Sequence, residues 1–138
     1  MKYMLDTNIC IYVMNERPPE IKQLFNQHMG QLCISSITLA ELHYGAHRSS
    51  KAAHNLSVIN DFCKHLEVLP FDEEASAAYG VLRAALQGQG APIGPNDMLI
   101  AAHAVALGLV IVTNNEKEFS RVQGLSCENW LYQSQQKK

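Results

Sequence analysis

The sequence contains no apolar run long enough to cross a membrane and no pair of cysteines spaced as C-x-x-C. Its four cysteines are far apart and lie in apolar or mixed segments, so we expect reduced thiols near the core rather than a zinc site. They are Cys10, Cys33, Cys63 and Cys127. Asp6 and Asn8 stand where a signal peptide would need apolar residues. We therefore expect a cytoplasmic protein without membrane contact.

The motifs of covalent hydrolases and nucleotide-binding enzymes are also missing. The sequence has no G-x-S-x-G, no Walker loop and no cysteine paired with a histidine in a known catalytic pattern. His43 and His47 have the i, i+4 spacing of a metal-binding pair, but no H-E-x-x-H accompanies them. We interpret both as exposed, and we expect His103 on the surface of its helix.

Positive charge is scarce, because 11 lysines and arginines face 13 acidic residues, for a net charge of −2. Nucleic-acid affinity normally rests on basic side chains, so this balance alone argues against a nuclease. The objection weakens if a bound divalent cation supplies the charge that meets the phosphate. We interpret the scattered basic residues as solvated surface; they are Arg17, Lys51, Arg83, Arg121, Lys137 and Lys138.

The length of 138 residues and the hydrophobic share of 47% indicate one globular domain. We place it at residues 1–132, followed by a polar tail at 133–138. The patterns predict strands at 3–6, 31–34, 67–71 and 109–113, with an extended piece at 125–127. They predict helices at 9–14, 19–29, 37–44 (closed by Gly45), 55–63, 73–87, 97–107 and 116–119. This alternation predicts an α/β fold with three layers, α/β/α, around a short parallel sheet.

Three acidic residues occupy positions where a merely solvated carboxylate is unexpected. Asp6 follows an apolar strand, Glu41 lies in the mainly apolar helix ITLAELHYG, and Asp97 opens a helix after the stiff turn IGPN. Sites in such sheets form beyond the carboxyl ends of the strands, where Asp6 and Thr113 both lie. We expect the three carboxylates to meet at that edge.

Gathered carboxylates repel each other, by roughly 3 kcal/mol for two charges about 5 Å apart at an effective dielectric near 20. A hard cation such as Mg²⁺, or Mn²⁺ in its place, would neutralise them and suits phosphodiester hydrolysis by a metal-activated water. Taken singly, each acid also has a plain interpretation. Asp6 caps the first helix, Asp97 complements a helix dipole, and Glu41 lies on an amphipathic surface.

Four segments together resemble the VapC group of PIN-domain toxins: MLDTNICIY, ISSITLAELHYGA, IGPNDMLIAAHAVALGLVIVTNNEKEF and GLSCENW. The four segments occur in the order and spacing of the family, and the resemblance covers nearly the whole chain. It implies an endoribonuclease whose catalytic and metal-binding residues are Asp6, Glu41 and Asp97. It also implies that Asn8 supports Asp6 by a hydrogen bond and that Thr113 lies near the pocket.

One position departs from the fuller PIN pattern, which has a fourth acid where this chain has Asn115. An amide adds no charge, so a second metal ion is in doubt. Glu118 would supply that charge through water, or else it is an exposed helix residue.

The resemblance further implies partners. They are a VapB-type antitoxin laid across the acidic site, an RNA substrate, and a second copy of the chain in a homodimer. Apolar faces at 37–44 and 75–86 would form that dimer, or else they belong to the ordinary core. The substrate implied is tRNA, in enteric relatives the anticodon region of initiator tRNA, and the larger complex would bind operator DNA through the antitoxin.

Two other classes stay open at this point. One is an Asp-dependent phosphotransfer domain in which Asp6 is phosphorylated, although the D-x-D-x-T motif is missing. The other is a binding module without catalysis, to which the amide of Asn115 gives some support.

Overall fold

The computed structural model describes residues 1–90 and 93–131. The expected turn at Pro92, the domain limit at 132 and the tail at 133–138 lie wholly or partly outside these residues. Strands and helices alternate along the chain: β1 (Tyr3–Leu5), α1 (Thr7–Asn15), α2 (Pro19–Gln27), β2 (Leu32–Ser35), α3 (Ser36–His47), α4 (Ala52–Cys63), β3 (Glu67–Leu69), α5 (Glu73–Gly88), α6 (Pro95–Leu107), β4 (Val110–Val112), α7 (Glu116–Phe119) and β5 (Ser126–Glu128).

The five strands form one parallel sheet in the order β3-β2-β1-β4-β5. The chain first builds outward from β1 through β2 to β3, and then returns to the other side of β1 as β4. Neighbouring strands whose chains leave toward opposite sides create a crevice at their carboxyl ends. β1 and β4 are that pair, so the order of the strands alone marks the edge beyond Leu5 and Val112.

Side chains alternate between the two faces of the sheet and form two cores. Tyr3 and Leu5 pack with α1, α2, α3 and α4 on one face. Met4 packs with α5 and α6 on the other, together with Phe119 of α7. The α/β/α prediction is therefore confirmed. Within the described residues, no helix combines the length and the apolar character that a membrane crossing requires.

Several predicted ends differ from the structure, among them those of α3, α2 and β3. α3 continues through Gly45 to His47, because the buried Leu42 and Ala46 hold the last turn against the core and outweigh the weak helix propensity of glycine. α2 ends at Gln27 instead of 29, where a turn leads to Gly30 at φ +89°. β3 ends at Leu69 instead of 71, and a proline follows it directly.

The predicted position of His103 is wrong. α6 packs into the core on nearly all sides, so its side chains from Ile100 to Ala104 are buried and His103 is 1% exposed. A helix with apolar residues around its whole circumference is expected to be enclosed by other elements. One histidine among apolar residues does not outweigh that pattern, and therefore it does not indicate an exposed face of the helix.

Candidate active site

Asp6 lies directly after β1 and is only 3% exposed. One carboxylate oxygen accepts a hydrogen bond from the backbone N–H of Ile9 at 2.9 Å, which makes Asp6 the N-cap of α1. The other oxygen accepts from the hydroxyl of Thr113, which follows β4. The neighbouring strands β1 and β4 thus hold this carboxylate between them, at the crevice that the strand order creates.

Glu41 reaches the same edge from the second turn of α3. One of its carboxylate oxygens accepts from the hydroxyl of Thr7, and the other accepts from the amide of Asn96 at 3.1 Å. These two donors belong to α1 and α6. Glu41 therefore joins three helices beside the sheet edge. The sequence does not identify Thr7 or Asn96 as partners of Glu41, because only the tertiary fold brings them to it.

Asp97 lies in the first turn of α6 and forms a pair with Glu118 of α7. Glu118 accepts from the backbone N–H of Gly94 at 2.7 Å and from the amide of Asn115 at 2.6 Å. A Cβ at Gly94 would lie 3.5 Å from carboxylate oxygens of both Asp97 and Glu118, which is ordinary van der Waals contact. The turn before α6 is therefore packed against two acidic side chains.

Burial raises the pKa of Asp6 to about 6, against the lowering effect of the hydrogen bonds from Thr113 and Ile9, and the charge of Glu41 adds to the rise. Burial also raises the pKa of Asp97 to about 7, helped by the hydrogen bond and the charge of Glu118 and by the charges of Asp6 and Glu41. The hydrogen bonds to Glu118 lower its pKa although burial acts in the opposite sense. These opposite shifts favour a proton on Asp97 in its hydrogen bond with Glu118.

These mutual effects place Asp6, Glu41 and Asp97 on one rim, because each carboxylate lies within electrostatic reach of the other two. Thr113 and Asn115 are on the same rim, and Asn115 donates its backbone N–H to the Thr113 hydroxyl at 2.9 Å. The expected hydrogen bond from Asn8 to Asp6 is not formed. Among the described residues the donors to Asp6 are Ile9 and Thr113, while Asn8 is exposed on α1.

The donors on this rim are carboxylate, hydroxyl and amide oxygens, which suit Mg²⁺ or Mn²⁺ and not a soft metal. In the described part of the chain, no three histidine, cysteine or acidic side chains lie close enough together to hold a metal ion between them. Mg²⁺ usually binds one or two carboxylates and keeps several waters, so an open rim fits its coordination better than a closed cage would. Burial and, to a smaller extent, the neighbouring carboxylates raise the pKa values of Asp6 and Asp97, and a cation would act in the opposite sense by favouring their charged forms.

The cysteines and the other histidines lie apart from this chemistry. All four cysteines are free, and burial raises the pKa of each thiol, that of Cys33 to about 12. They are protonated core or boundary thiols, as predicted. The rings of His43 and His47 stack at 6.5 Å between centroids on α3, with His43 half-buried and His47 exposed.

Comparisons with known proteins agree with this geometry. Residues 3–125 match the PIN domain family. The chain is 48% identical over 130 residues to the tRNA(fMet)-specific endonuclease VapC of Shigella flexneri, covering 94% of this chain and 98% of that protein. It is 50% identical over 131 residues to ribonuclease VapC2 of Haemophilus influenzae, covering 95% and 99%.

Solved structures give the same result. The DNA-bound VapBC of Salmonella typhimurium contains a chain that superposes with a TM-score of 0.91 at 47% identity, covering 94% of this chain and 98% of that one. VapBC2 of Rickettsia felis, bound to a promoter DNA fragment, gives 0.89 at 43% identity, covering 94% and 99%. Sequence and fold agree over nearly the whole chain, and the protein therefore belongs to the VapC group of the PIN-domain family.

Proposed function

We propose that this protein is the toxin of a type II toxin–antitoxin pair and an endoribonuclease that hydrolyses RNA with Mg²⁺. The observation that carries the proposal is the rim where Asp6, Glu41 and Asp97 meet at the crevice between β1 and β4. The relatives named ribonuclease VapC, at about half identity, support the reaction class. We assign the catalytic and metal-binding roles to these three acids.

In the proposed site, Asp6 and Asp97 hold the cation and Glu41 holds or orients a water. A bound Mg²⁺ supplies Lewis acidity, by binding a phosphate oxygen and lowering the pKa of a coordinated water. Thr113 keeps the Asp6 carboxylate in place, and Thr7 and Asn96 do the same for Glu41. Such hydrogen bonds fix the orientation of a ligand before the metal binds.

Glu118 provides the charge that Asn115 lacks. It lies against Asp97, and Asn115 donates to it, so the amide orients an acid instead of replacing one. A cation held by Asp97 would favour its charged form, with the proton released to solvent. We assign Glu118 and Asn115 a supporting role at the metal site and Asn8 a place at the edge of the RNA path, where its exposed amide is free to meet a phosphate.

We further propose initiator tRNA as the substrate, cut in its anticodon region, because relatives at 48% and 47% identity are tRNA(fMet)-specific endonucleases. A VapB-type antitoxin is the proposed inhibitor, and the complex is proposed to bind promoter DNA through it, as the VapBC complexes of two relatives bind DNA. The homodimer stays a prediction. The exposed Tyr44 of α3 and Val81 of α5 lie on the two faces expected to form it.

The test is a cleavage assay with antitoxin-free protein, bulk tRNA and Mg²⁺, followed by sequencing of the RNA ends. We expect one dominant cut in initiator tRNA, lost with excess chelator and in Asp6→Asn and Asp97→Asn. Asp61→Asn is the matched control, since Asp61 is an exposed acid that forms an ion pair with Lys64. Cleavage that persists in chelator, or in both site variants, would exclude the proposed mechanism. Labelling of Asp6 by a phosphodonor would favour the phosphotransfer alternative.

A further inference from the structure

His103 is a buried titratable side chain that the acidic site does not use. Its ring packs edge-on against Phe71, with 5.5 Å between the ring centroids. Nδ1 lies 2.8 Å from the hydroxyl oxygen of Ser35, and the backbone carbonyl of Pro70 accepts a hydrogen bond from the ring. Ser35, Pro70 and His103 form what we call the histidine bridge.

The bridge joins three elements. Ser35 ends β2 and is the N-cap of α3, because its hydroxyl oxygen accepts from the backbone N–H of Ile37 at 3.1 Å. Pro70 follows β3, and His103 lies in the middle of α6. One imidazole therefore ties the helix that carries Asp97 to the first turn of the helix that carries Glu41.

A neutral ring satisfies every group in the bridge. Neutral imidazole has one donor and one acceptor. With the N–H directed to the Pro70 carbonyl, Nδ1 accepts from the Ser35 hydroxyl, whose oxygen accepts in turn from Ile37; the tautomer follows from these partners. Burial lowers the pKa of His103, against the opposing charge of Asp72, and so favours this neutral form.

The bridge is placed to control the geometry of the site. His103 follows Asp97 by six residues, about 9 Å along the helix axis, and Glu41 follows Ser35 by the same number. The other buried side chains near it on α6 are apolar, and apolar contacts do not fix a rotation because they are non-directional. Within the described residues, the other side-chain hydrogen bonds of α6, from Asn96 and Asp97, belong to the site itself.

We propose that His103 is a positioning residue which, through Ser35, sets the rotation of α6 relative to α3 and thereby the spacing of Asp97 and Glu41. This inference rests on the proposed metal-dependent ribonuclease function. It does not make His103 part of the reaction, since the contacts of the ring in the described structure are with Ser35, Pro70 and Phe71 and not with the three acids of the rim. Its effect is on the shape of the metal site.

The test compares His103→Leu and Ser35→Ala, singly and together, with wild type. Mn²⁺ binding to the RNA-free protein is measured by electron paramagnetic resonance, and kcat and KM are measured with tRNA well below the melting temperature. We expect each single change to weaken Mn²⁺ binding and lower kcat by about tenfold, with KM for RNA nearly unchanged. The double variant should lose no more than the worse single variant, because both changes break one link.

Two further variants separate positioning from general damage. Ser35→Thr keeps the hydroxyl and should restore Mn²⁺ affinity and kcat to near wild type, even if His103→Leu folds poorly. Thr38→Val is the matched control. Thr38 is buried in α3 between Ser35 and Glu41, and its hydroxyl has no hydrogen-bond partner among the residues that the structure describes, so activity and Mn²⁺ binding should stay unchanged.

Wild-type Mn²⁺ affinity and kcat in folded Ser35→Ala, or losses that multiply in the double variant, would overturn the positioning role. A fall in melting temperature with unchanged kcat would reduce the bridge to a purely structural one and likewise overturn it. Failure of the proposed function has a different signature, because the wild-type protein itself would then neither bind Mn²⁺ nor cut tRNA.

Discussion

At the scale of single residues, the site contains one acid, Asp97, whose pKa is raised to about 7 by burial and by its acidic neighbours. Asp97 is hydrogen-bonded to Glu118, and both carboxyls contact the turn at Gly94. In the absence of metal, the protonated form of Asp97 is therefore favoured beside a charged Glu118. Two charged carboxylates in contact would repel each other, and a cation bound there would have to offset that cost.

Asp97→Asn should stabilise the metal-free protein while abolishing cleavage. The amide donates to Glu118 without needing a proton, so the unfolding free energy in chelator should rise by about 1 kcal/mol; the partial exposure of Asp97 keeps the gain below that of a fully buried group. Thermal melting in chelator and the tRNA assay measure the two effects. A melting temperature below that of wild type would contradict the account of the shared proton.

The stability of the metal-free protein should depend on pH with a definite sign. The pKa values of Asp6 and Asp97 in the fold are about 6 and 7, above the ordinary value of 3.8. The folded state therefore binds more protons than the unfolded chain between these values, and stability falls as the pH rises from about 4 to 7. In chelator, wild type should melt at a lower temperature at pH 8 than at pH 6.

The comparison that isolates this effect is the difference between wild type and Asp97→Asn across the same range. His103 and Glu118 titrate in both proteins, so most of their contribution cancels in the difference. The gap in melting temperature should widen toward pH 8. A gap that does not change with pH would show that Asp97 is charged throughout.

The sequence identified Asp6, Glu41 and Asp97 because each carboxylate is unexpected in its local setting. Asp6 follows an apolar strand, Glu41 lies in an apolar helix, and Asp97 comes after a stiff turn. It could not identify the partners that hold them. Asn96 donates to Glu41 across 55 positions of the chain, and Thr113 donates to Asp6 across 107. No local pattern encodes such contacts, since only the order of the strands brings these residues together.

At the scale of elements, two glycines of similar appearance in the sequence have opposite roles. Gly80 lies in the middle of α5, exposed, and a Cβ there would meet nothing within 4 Å. Gly108 ends α6 at φ +67°, where its N–H closes the last turn. Helix propensity disfavours the first glycine, whereas the left-handed backbone requires the second.

Gly80→Ala should therefore raise the free energy of unfolding by about 0.5–1 kcal/mol. Gly108→Ala should lower it by about 1 kcal/mol, because alanine is strained at positive φ. Chemical denaturation measures both changes, and each variant is the control of the other. The account would be contradicted if both substitutions changed stability in the same direction.

Periodicity and capping residues predict which segments are helices and which are strands, but they do not predict several of the ends of these elements. The cap at Asp72 and the end at Gly108 were predicted, because each depends on one residue and its neighbours. The extension of α3 past Gly45 was not, because it depends on the burial of Ala46 against the core. Tertiary packing decides an end wherever the local signal is worth only about 1 kcal/mol.

At the scale of the whole molecule, the metal should act as a stabilising ligand of the fold. The acids of the rim come from different parts of the chain, so only the folded protein can bind the cation well. A free concentration of ten times the dissociation constant stabilises a fold by about 1.4 kcal/mol. Adding Mg²⁺ should raise the melting temperature of wild type and leave that of Asp97→Asn nearly unchanged.

Calorimetry in chelator, in Mg²⁺ and in Ca²⁺ measures this shift, and Asp61→Asn should respond as wild type does. An equal rise in Asp97→Asn would mean that the ion stabilises the protein elsewhere.

The parallel sheet and its layers were predictable from the alternation of elements. The position of β4 beside β1 was not, since many strand orders satisfy the same alternation.

The acids of the rim are also divided between the two hydrophobic cores. Asp6 and Glu41 are anchored on the side of α1 and α3, while Asp97 begins α6 on the opposite side. A slip of one layer past the other by an ångström or two would leave every helix and strand intact and still pull the ligands apart. Mild heating or denaturant should therefore abolish nuclease activity before circular dichroism detects any unfolding, and cooling should restore the activity.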